Sequence, residues 1–338
     1  MSATLPTFVT NHIPLLKDYK AYFSTLSRYR LVLYLEEMIS LDEFCDSIQG
    51  RLGGWLEQRR RVLITLNTRG SARKVWQLLE QEWPEDKRDI PLYFISSDVT
   101  PKDRMEIVDE IKEGTPCIVV STQSIEAGVD IDMDLVLRDF APLDSLIQIA
   151  GRCNREGKGP RGTVEIYDIT NENGHRYSAM IYDAIHLQVT RSLLQEGSDV
   201  PEEEVLSLSE SYFDELSRKK DTGQEHLERF IRWLDDTPVK EWLRGKERLQ
   251  YTFIVSEQDP ELLDALAAAA TVKDRWERRE AWRSLASRVA NVSIQVDAKP
   301  GFNPLQIANE LPGELWVLRQ GYYNKAGGLN IEGETMIF

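Results

Sequence analysis

The chain has 338 residues, of which 41% are hydrophobic and 29% charged, and its formal net charge is −15. The length suffices for two or three domains with cores of their own, and the composition predicts a soluble globular protein. No apolar run approaches the roughly 18 residues that a membrane span needs, and the amino terminus lacks the basic and apolar regions of a secretory signal. The acidic balance disfavours bulk attraction to nucleic acid, so a polyanion would require a local basic surface.

Charge and cysteine placement add two expectations. Residues 196–217 hold eight acids and no Lys or Arg, which predicts a solvated linker, whereas residues 152–161 hold four basic residues and one acid. Cys45, Cys117 and Cys153 are far apart and odd in number. They offer neither a disulfide framework nor a metal knuckle, and they predict a protein of a reducing cytoplasm.

Apolar runs and helix caps predict alternating helices and strands in the first half of the chain. Residues 30–60 are predicted to be helical, with Ser40 as an N-cap. The further predicted elements are, in chain order, a strand at 60–68, a helix at 71–83 capped by Ser71, a strand at 91–99, a helix at 100–114 capped by Thr100, strands at 117–122 and 134–140, a helix at 144–152 and a strand at 162–170. This alternation predicts a parallel sheet covered by helices on both faces. Ligands of such sheets bind at the carboxyl ends of the strands.

Beyond residue 172 the alternation stops, and a mixed helical and β region is expected. The predicted elements are one long helix at 175–195, helices at 225–236 and 261–289, and strands at 252–256, 292–296 and 314–319. Four tryptophans lie on its helices, namely Trp233, Trp242, Trp276 and Trp282. Core packing is the expected role for each, with base stacking as the alternative.

Two arginines three residues apart end the helix that contains Gln148 and Gly151. Arg152 and Arg155 share one helical face, and planar guanidinium groups bind phosphate oxygens bidentately. In a closed cleft such arginines stabilise the charge of phosphoryl transfer. The alternative is an ordinary basic helix end that faces its own dipole.

Polar residues also follow two of the predicted strands. The segment STQSIEAGVD, residues 121–130, offers backbone N–H groups and hydroxyls that can hold phosphates, and Asp130 could accept hydrogen bonds from a ribose. A turn of small polar residues is the alternative. Asn67 and Thr68 end an earlier predicted strand. They are expected either to contact a nucleic-acid backbone or to cap the next helix.

In this order and spacing, the segments resemble the second RecA-like lobe of a superfamily 2 helicase. VLITLNT resembles motif IV, STQSIEAGVDID resembles motif V, and QIAGRCNREG resembles motif VI. Ile149 and Asn154 depart from that pattern, where the family usually has Arg and often has Gly. The predicted site residues are Arg152 and Arg155 as catalytic contacts to the ATP phosphates, Gln148, Gly128 and Asp130 as further ATP-binding residues, and Asn67, Thr68, Thr122 and Gln123 on DNA.

The segment 121–157 resembles more closely the CRISPR-associated helicase–nuclease of type I interference systems, and YYNKAGGLNIEGE at 322–334 is similar to the end of that family's accessory domain. The resemblance implies ATP- and Mg²⁺-driven 3′-to-5′ translocation on single-stranded DNA in the prokaryotic cytoplasm, after recruitment by an RNA-guided surveillance complex. It predicts an α/β fold in which a RecA-like parallel-sheet lobe precedes a mixed, mainly helical accessory domain.

The chain contains neither a Walker A sequence nor a Mg²⁺-binding DExx sequence. It begins MSATLP, and Ser2, Ala3 and Thr4 resemble motif III, which couples hydrolysis to strand movement; chance is the alternative. We therefore expect the second half of a helicase, inactive alone and served by a first lobe that holds most of the ATP and Mg²⁺ contacts. The expected domains are 1–30 as a first-lobe remnant, 31–172 as the second lobe, 173–222 as a long helix and acidic linker, and 223–338 as the accessory domain.

The four histidines are His12, His175, His186 and His226, and none is followed by Asp or spaced as a metal ligand. No metal site and no nuclease activity are therefore expected. A non-enzymatic module for single-stranded DNA binding or complex assembly remains an alternative function. A fragment of a repair or RNA helicase is another.

Overall fold

The computed structural model describes residues 18–126, 128–194, 199–219, 228–229, 231–232, 250–297, 302–311 and 315–330. The helices are α1 (Tyr19–Phe23), α2 (Leu41–Glu57), α3 (Arg69–Glu82), α4 (Pro101–Lys112), α5 (Leu143–Ala150), α6 (Tyr177–Ile181), α7 (Ala184–Leu193), α8 (Val205–Lys219), α9 (Pro260–Thr271) and α10 (Arg275–Asn291). The strands are β1 (Tyr29–Ser40), β2 (Arg61–Thr65), β3 (Leu92–Ile95), β4 (Cys117–Ser121), β5 (Leu135–Asp139), β6 (Gly162–Thr170), β7 (Val200–Pro201), β8 (Gln250–Ile254), β9 (Ser293–Asp297), β10 (Ala308–Leu311), β11 (Leu315–Leu318), β12 (Tyr323–Asn324) and β13 (Gly328–Leu329).

The chain divides into two compact units. The first takes the described residues of Met1–Leu92 and Gly114–Glu247, and the second takes those of Tyr93–Glu113 and Arg248–Phe338. No helix of the described residues is long and apolar enough to cross a lipid bilayer.

Seven strands form one sheet in the order β3-β4-β2-β5-β6-β1-β7. β2 pairs in parallel with β4 and β5, and β6 pairs in parallel with β5 and β1. β7 alone among the pairs described here runs antiparallel, along β1. The α/β fold with a mainly parallel sheet is therefore confirmed. Its central strands are apolar on both faces, as parallel strands between two helical layers must be.

The prediction of a helix beginning near residue 30 is wrong, because residues 29–40 form β1. Leu31, Leu33 and Leu35 are buried, and the residues between them are more exposed. That period of two is the mark of a strand with one buried face. The predicted helix itself begins only after Ser40.

Ser40 caps α2 as predicted. Its hydroxyl accepts from the Glu43 N–H at 3.2 Å, and the Glu43 carboxylate accepts from the Ser40 N–H at 2.7 Å. This reciprocal capping box satisfies two backbone donors that the helix leaves unpaired.

Replacing the cap should therefore destabilise the protein measurably. We expect Ser40→Ala to lower the free energy of unfolding by about 1 kcal/mol, and Ser40→Asp to recover most of that loss. Urea denaturation followed by circular dichroism checks this expectation. Equal midpoints for Ser40→Ala and the parent chain would contradict it.

Ser71 is not the cap of α3. The helix begins at Arg69, and Thr68 precedes it as the N-cap residue, with its hydroxyl accepting from the Ser71 N–H at 3.1 Å. Ser71 is buried in the first turn and donates its own hydroxyl back to the Thr68 carbonyl at 3.1 Å. The Thr100 cap of α4 is confirmed, with Pro101 in the first turn.

The single helix predicted over 175–195 is two helices, α6 and α7. Tyr182 and Asp183 have extended backbone conformations, and the Asp183 carboxylate accepts from the Ile185 N–H at 2.9 Å to begin α7. The helix predicted over 261–289 is likewise divided. Asp274 begins α10 by accepting from the N–H groups of Trp276 and Glu277, each at 2.9 Å. An Asp at a cap position separates the helices in both cases.

The acidic run is not a solvated linker. Residues 205–219 form α8, which buries Val205, Ser209, Tyr212 and Leu216 at helical spacing. Glu202, just before it, is 2% exposed and accepts from the Arg28 side-chain Nε at 2.8 Å. Glu210, Asp214 and Glu215 thus lie on the more exposed face of a packed helix, and the buried Glu202 before it has an arginine partner.

The second unit contains a four-stranded sheet in the order β10-β11-β8-β9. One face packs around Phe253, Ile294 and Val296, and α9 and α10 pack around Ile254 and Leu262. β10 and the hairpin β12–β13 were not predicted. Trp282 packs partly buried beside Leu262, as expected, whereas Trp276 is 71% exposed and the core prediction for it is wrong. Trp233 and Trp242 lie outside the described residues, and so does most of the predicted helix 225–236.

The hairpin β12–β13 packs on α4 within this unit. The Tyr323 hydroxyl donates to the Asp103 carboxylate at 2.5 Å, and the Leu329 N–H donates to the Asp98 carbonyl at 2.8 Å. Gly328 has φ +70°, and a Cβ on it would lie 2.5 Å from that carbonyl. Only glycine permits this approach and this backbone conformation.

Candidate nucleotide and nucleic-acid site

The polar segments predicted to bind ligands meet at one edge of the large sheet. The parallel register places Thr65 beside Ser121, the last residue of β4, and beside Arg138, the residue before the end of β5. The Thr65 and Ser121 hydroxyls are 2.9 Å apart and buried. Residues 66–68, 122–126 and α5 therefore all leave the sheet at its carboxyl edge, where ligands of parallel sheets bind.

The turn that carries the two arginines is bonded to the loop of residues 128–134. The Met133 N–H donates to the Arg152 carbonyl at 2.9 Å, and the Asn154 N–H donates to the Met133 carbonyl at 2.8 Å. The Arg155 N–H donates to the Asp132 carboxylate at 2.6 Å. Motifs V and VI thus form one hydrogen-bonded surface.

Arg152 is a mostly buried cation. Its side chain donates to the Glu126 carbonyl at 2.6 Å, while its Nε is buried without a hydrogen-bond partner among the described residues. Burial, and then the nearby charge of Arg155, lower the pKa of the guanidinium. It stays charged at neutral pH because arginine pKa values lie far above it. A buried cation with one donor unused favours an anion beside it.

Arg155 is the accessible member of the pair. Its Nε lies 2.5 Å from a carboxylate oxygen of Asp130, whose own side chain is 72% exposed. Gly128 has φ +75°, a conformation that glycine adopts at little cost. Gln148 is exposed on α5. Gly128 and Asp130 therefore lie on the loop that is bonded to the arginine turn, and Gln148 lies on α5 just before that turn. The prediction that Arg152 and Arg155 share a helical face is wrong, because α5 ends at Ala150 and both arginines follow it. The ion pair with Asp130 holds Arg155 at the surface.

The two departures from the motif have structural explanations. Ile149 is fully buried on the inner face of α5, so it packs in the core and adds no polar contact. Asn154 has φ +45°, and its amide donates to the Arg28 carbonyl at 2.9 Å. The left-handed conformation suits glycine or asparagine, so Asn replaces the usual Gly there without strain.

Most of the predicted DNA contacts are occupied within the protein. Asn67 is 2% exposed and donates to the Phe140 carbonyl at 2.7 Å, while Thr68 is the buried cap of α3. Gln123 donates to the Asn67 carbonyl at 2.7 Å. Thr122 is buried, with its hydroxyl 3.3 Å from that of Ser124. These side chains shape the edge of the sheet, and Ser2 and Thr4 lie outside the described residues.

Sequence reasoning missed Arg138, which is fully buried at the centre of this edge. Its guanidinium donates to Asn67 Oδ1 at 2.7 Å, to Glu126 Oε1 at 2.9 Å and to the Tyr182 hydroxyl at 3.0 Å. Ser145, on α5, donates to the same Glu126 oxygen at 2.9 Å. We call this set the Arg138 network. An Arg inside the apolar run LVLRDF was the available signal, because a charge there requires buried partners.

Asp139, the next residue, is buried beside Arg138 and Asp168. Burial raises the pKa of its carboxyl from 3.8 to about 7, and the charge of Arg138 limits that rise. Between these pH values the folded protein keeps a proton that the unfolded chain has lost. The contribution of Asp139 to stability is therefore present at low pH and is lost as the pH rises through about 7.

We expect the pH-dependent loss of stability that Asp139 causes to be absent from Asp139→Asn, because the asparagine side chain is neutral at every pH. The unfolding free energy of the parent chain relative to Asp139→Asn should fall steadily between pH 4 and about pH 7. Urea denaturation of both proteins across that window measures it. Parallel stability curves would show that Asp139 titrates normally.

No group of three or more His, Cys, Asp or Glu side chains with metal-binding geometry occurs in the described part of the chain. Cys45, Cys117 and Cys153 are buried and unpaired.

Residues 58–158 match the family model described as CRISPR-associated nuclease/helicase Cas3, C-terminal. A CRISPR-associated nuclease/helicase Cas3 of Haloferax volcanii is 28% identical over 254 residues, which make up 66% of this chain and 26% of that protein. The chain thus spans about a quarter of that relative's length.

Two solved structures show the same fold. T. fusca Cas3 with AMPPNP matches with a TM-score of 0.59 and 21% identity, over 92% of this chain and 42% of the other. A chain of a CRISPR RNA-guided surveillance complex, in its pre-nicking state, matches with a TM-score of 0.58 and 21% identity, over 91% of this chain and 45% of the other.

Proposed function

We propose that this chain, a C-terminal half of the Cas3 helicase type, supplies arginine contacts to ATP in a translocase that acts on single-stranded DNA. Arg152 and Arg155 are the proposed phosphate contacts. Gln148, Gly128 and Asp130 surround the nucleotide in this proposal. The 338-residue chain on its own does not turn over ATP, because it contains no Walker A or DExx sequence.

The observation that carries the proposal is the pair of arginines at the carboxyl edge of the sheet. Arg152 has a buried Nε without a partner among the described residues, and Arg155 lies beside it at the surface. Guanidinium groups so placed match the oxygens of a phosphate chain. The residues present therefore fit the arginine half of an ATP site.

ATP bound with Mg²⁺ supplies the free energy for movement along the strand. The chain's own part is to hold the phosphate charge with Arg152 and Arg155 and to exclude water around them. T. fusca Cas3 has been solved with AMPPNP, which supports a nucleotide site in this fold. We assign Mg²⁺ to carboxylates outside this chain.

For the strand, we propose backbone contacts at residues 66–68 and 122–123. The described side chains of Asn67, Thr68 and Gln123 bond within the protein, and Asn67, Thr68 and Thr122 are buried. In this proposal the half-buried Gln123 meets the strand first, and the other contacts form after a local rearrangement. A chain of the same fold within an RNA-guided surveillance complex supports recruitment by such a complex and a role in antiviral defence.

The test is reconstitution. The purified chain is mixed with a separately expressed first lobe of a Cas3-like helicase, and ATP hydrolysis is measured with and without single-stranded DNA. We expect DNA-stimulated hydrolysis only when both parts are present. DNA-stimulated hydrolysis by this chain alone would contradict the proposal that a separate first lobe supplies the remaining contacts to ATP. A mixture that binds DNA and stays inactive would instead favour the non-enzymatic binding module.

A further inference from the structure

The amino-terminal half of α10 carries an exposed surface of arginine and tryptophan. Arg275, Trp276, Arg278, Arg279 and Trp282 line a groove of about 340 Å³. Trp276 is 71% exposed, although tryptophan is the largest apolar side chain and is normally well covered. We call these five residues the α10 groove.

The helix beneath the groove packs along one side on the core of its unit. Trp282, Leu285 and Val289 pack against Ile254 and Leu262, so one side of α10 is anchored in the core of its unit. Farther along, Arg288 makes two hydrogen bonds to Asp259, at 2.6 and 2.9 Å. Arg288 therefore has a structural partner, and the groove residues lie on a helix that packs against its own unit.

The groove arginines have few partners of their own. Arg275 and Arg279 make no hydrogen bond or ion pair within the described part of the chain, and Arg278 makes only a 3.4 Å bond to the Val272 carbonyl. The helix carries five arginines against two glutamates, Glu277 and Glu280. In a chain of net charge −15 such a local excess of positive charge is a specific feature.

The geometry points to single-stranded nucleic acid as the ligand, and we propose that the α10 groove binds it. Trp276 and Arg279 are three residues apart, and Arg275 and Arg279 are four apart, so each pair is adjacent on the helix surface. An exposed indole between guanidinium groups can stack on a base while the arginines hold the flanking phosphates. This combination is typical of sites that bind strands without reading their sequence.

An acidic protein segment would also be attracted by the arginines. It has no base to stack on the indole, however, and it gives no role to the exposure of Trp276. The groove belongs to the second unit and the sequence motifs of the ATP proposal to the first. The inference holds whether or not the chain takes part in ATP hydrolysis.

The test uses the full chain and a fluorescein-labelled oligothymidylate of about 20 nucleotides. Fluorescence anisotropy gives the dissociation constant over a range of salt concentrations. We expect Trp276→Ala to weaken binding by about 5- to 150-fold, and Trp276→Phe to retain most of the affinity. Arg275→Ala combined with Arg279→Ala should reduce the slope of log K against log salt by roughly 1.4. The matched control removes the same charge elsewhere, as Arg218→Ala with Lys219→Ala on α8.

Crosslinking identifies where the strand lies. An oligonucleotide containing bromodeoxyuridine is irradiated with the chain, and the modified peptides are mapped by mass spectrometry. Crosslinks within 275–283 support the groove even if reconstituted ATP hydrolysis fails. Crosslinks confined to 65–68 and 121–126 would overturn it. Equal competition by polyglutamate and oligothymidylate, with no effect of Trp276→Ala, would assign the groove to an acidic protein partner instead.

Discussion

Arg155→Ala is expected to lower DNA-stimulated ATP hydrolysis by roughly a thousandfold or more in the reconstituted helicase. An arginine beside the transferred phosphoryl group stabilises charge that develops in the transition state, and alanine cannot replace it. Arg155 is the accessible arginine of the pair, and among the described residues its side chain pairs with the exposed Asp130 and donates to the Gly151 carbonyl at 3.4 Å. Its loss should therefore act on turnover and leave folding unchanged.

Two controls separate this effect from a loss of charge or of fold. Arg161→Ala removes the same charge from the same basic segment, where Arg161 pairs with the exposed Glu203, and should leave hydrolysis unchanged. Arg155→Lys keeps the charge but loses the planar fork, so it should recover only part of the activity. Thermal unfolding of Arg155→Ala should match the parent chain, because exposed substitutions change stability by no more than about 0.5 kcal/mol. Unchanged turnover in Arg155→Ala would remove Arg155 from the ATP site.

Local sequence patterns predicted the central strands of the large sheet, because β2, β4 and β5 are short apolar runs and β2 is followed by a capped helix. Prediction from local patterns failed where a strand pattern ran directly into a helix pattern. The alternation in residues 29–40 runs directly into the apolar spacing of α2, and only the pairing of β1 with β6 resolves the boundary. It failed again at Asp183 and Asp274, since a cap inside an amphipathic pattern is indistinguishable from a polar surface residue until the helix ends are known.

The candidate site was predictable in its arginines but not in its supporting structure. Motif spacing identified Arg152 and Arg155 but placed them on one face of a helix, whereas α5 ends at Ala150 and both arginines lie in the turn that follows it, against the loop of Asp130. Motif spacing could not show that the side chains of Asn67 and Gln123 form hydrogen bonds within the protein, because these bonds join residues far apart in sequence. Arg138 is the residue that organises them.

Arg138→Met is expected to lower the free energy of unfolding by about 3–5 kcal/mol, which is the typical cost of removing one partner from a buried ion pair. Arg138 is fully buried, so methionine fills a similar space but donates nothing. Glu126 would then keep a carboxylate whose pKa burial already raises, with Ser145 as its remaining described donor. Urea denaturation measures the loss, and Arg30→Met is the control, since Arg30 and its partner Asp199 are both exposed.

Arg138→Met should also lower ATP turnover, because Glu126 links Arg138 to Arg152. The Glu126 side chain accepts from Arg138, and its carbonyl accepts from the Arg152 guanidinium at 2.6 Å. Adding Glu126→Gln to Arg138→Met removes the unpaired charge, so the double variant should be more stable than the sum of the single losses predicts. We expect ATP turnover to be low in Arg138→Met and to remain low in the double variant. In both, the Glu126 side chain has lost Arg138, so the Glu126 carbonyl that accepts from Arg152 is no longer held in place. Full activity in a stable double variant would show that Arg138 holds the fold together without positioning the arginines.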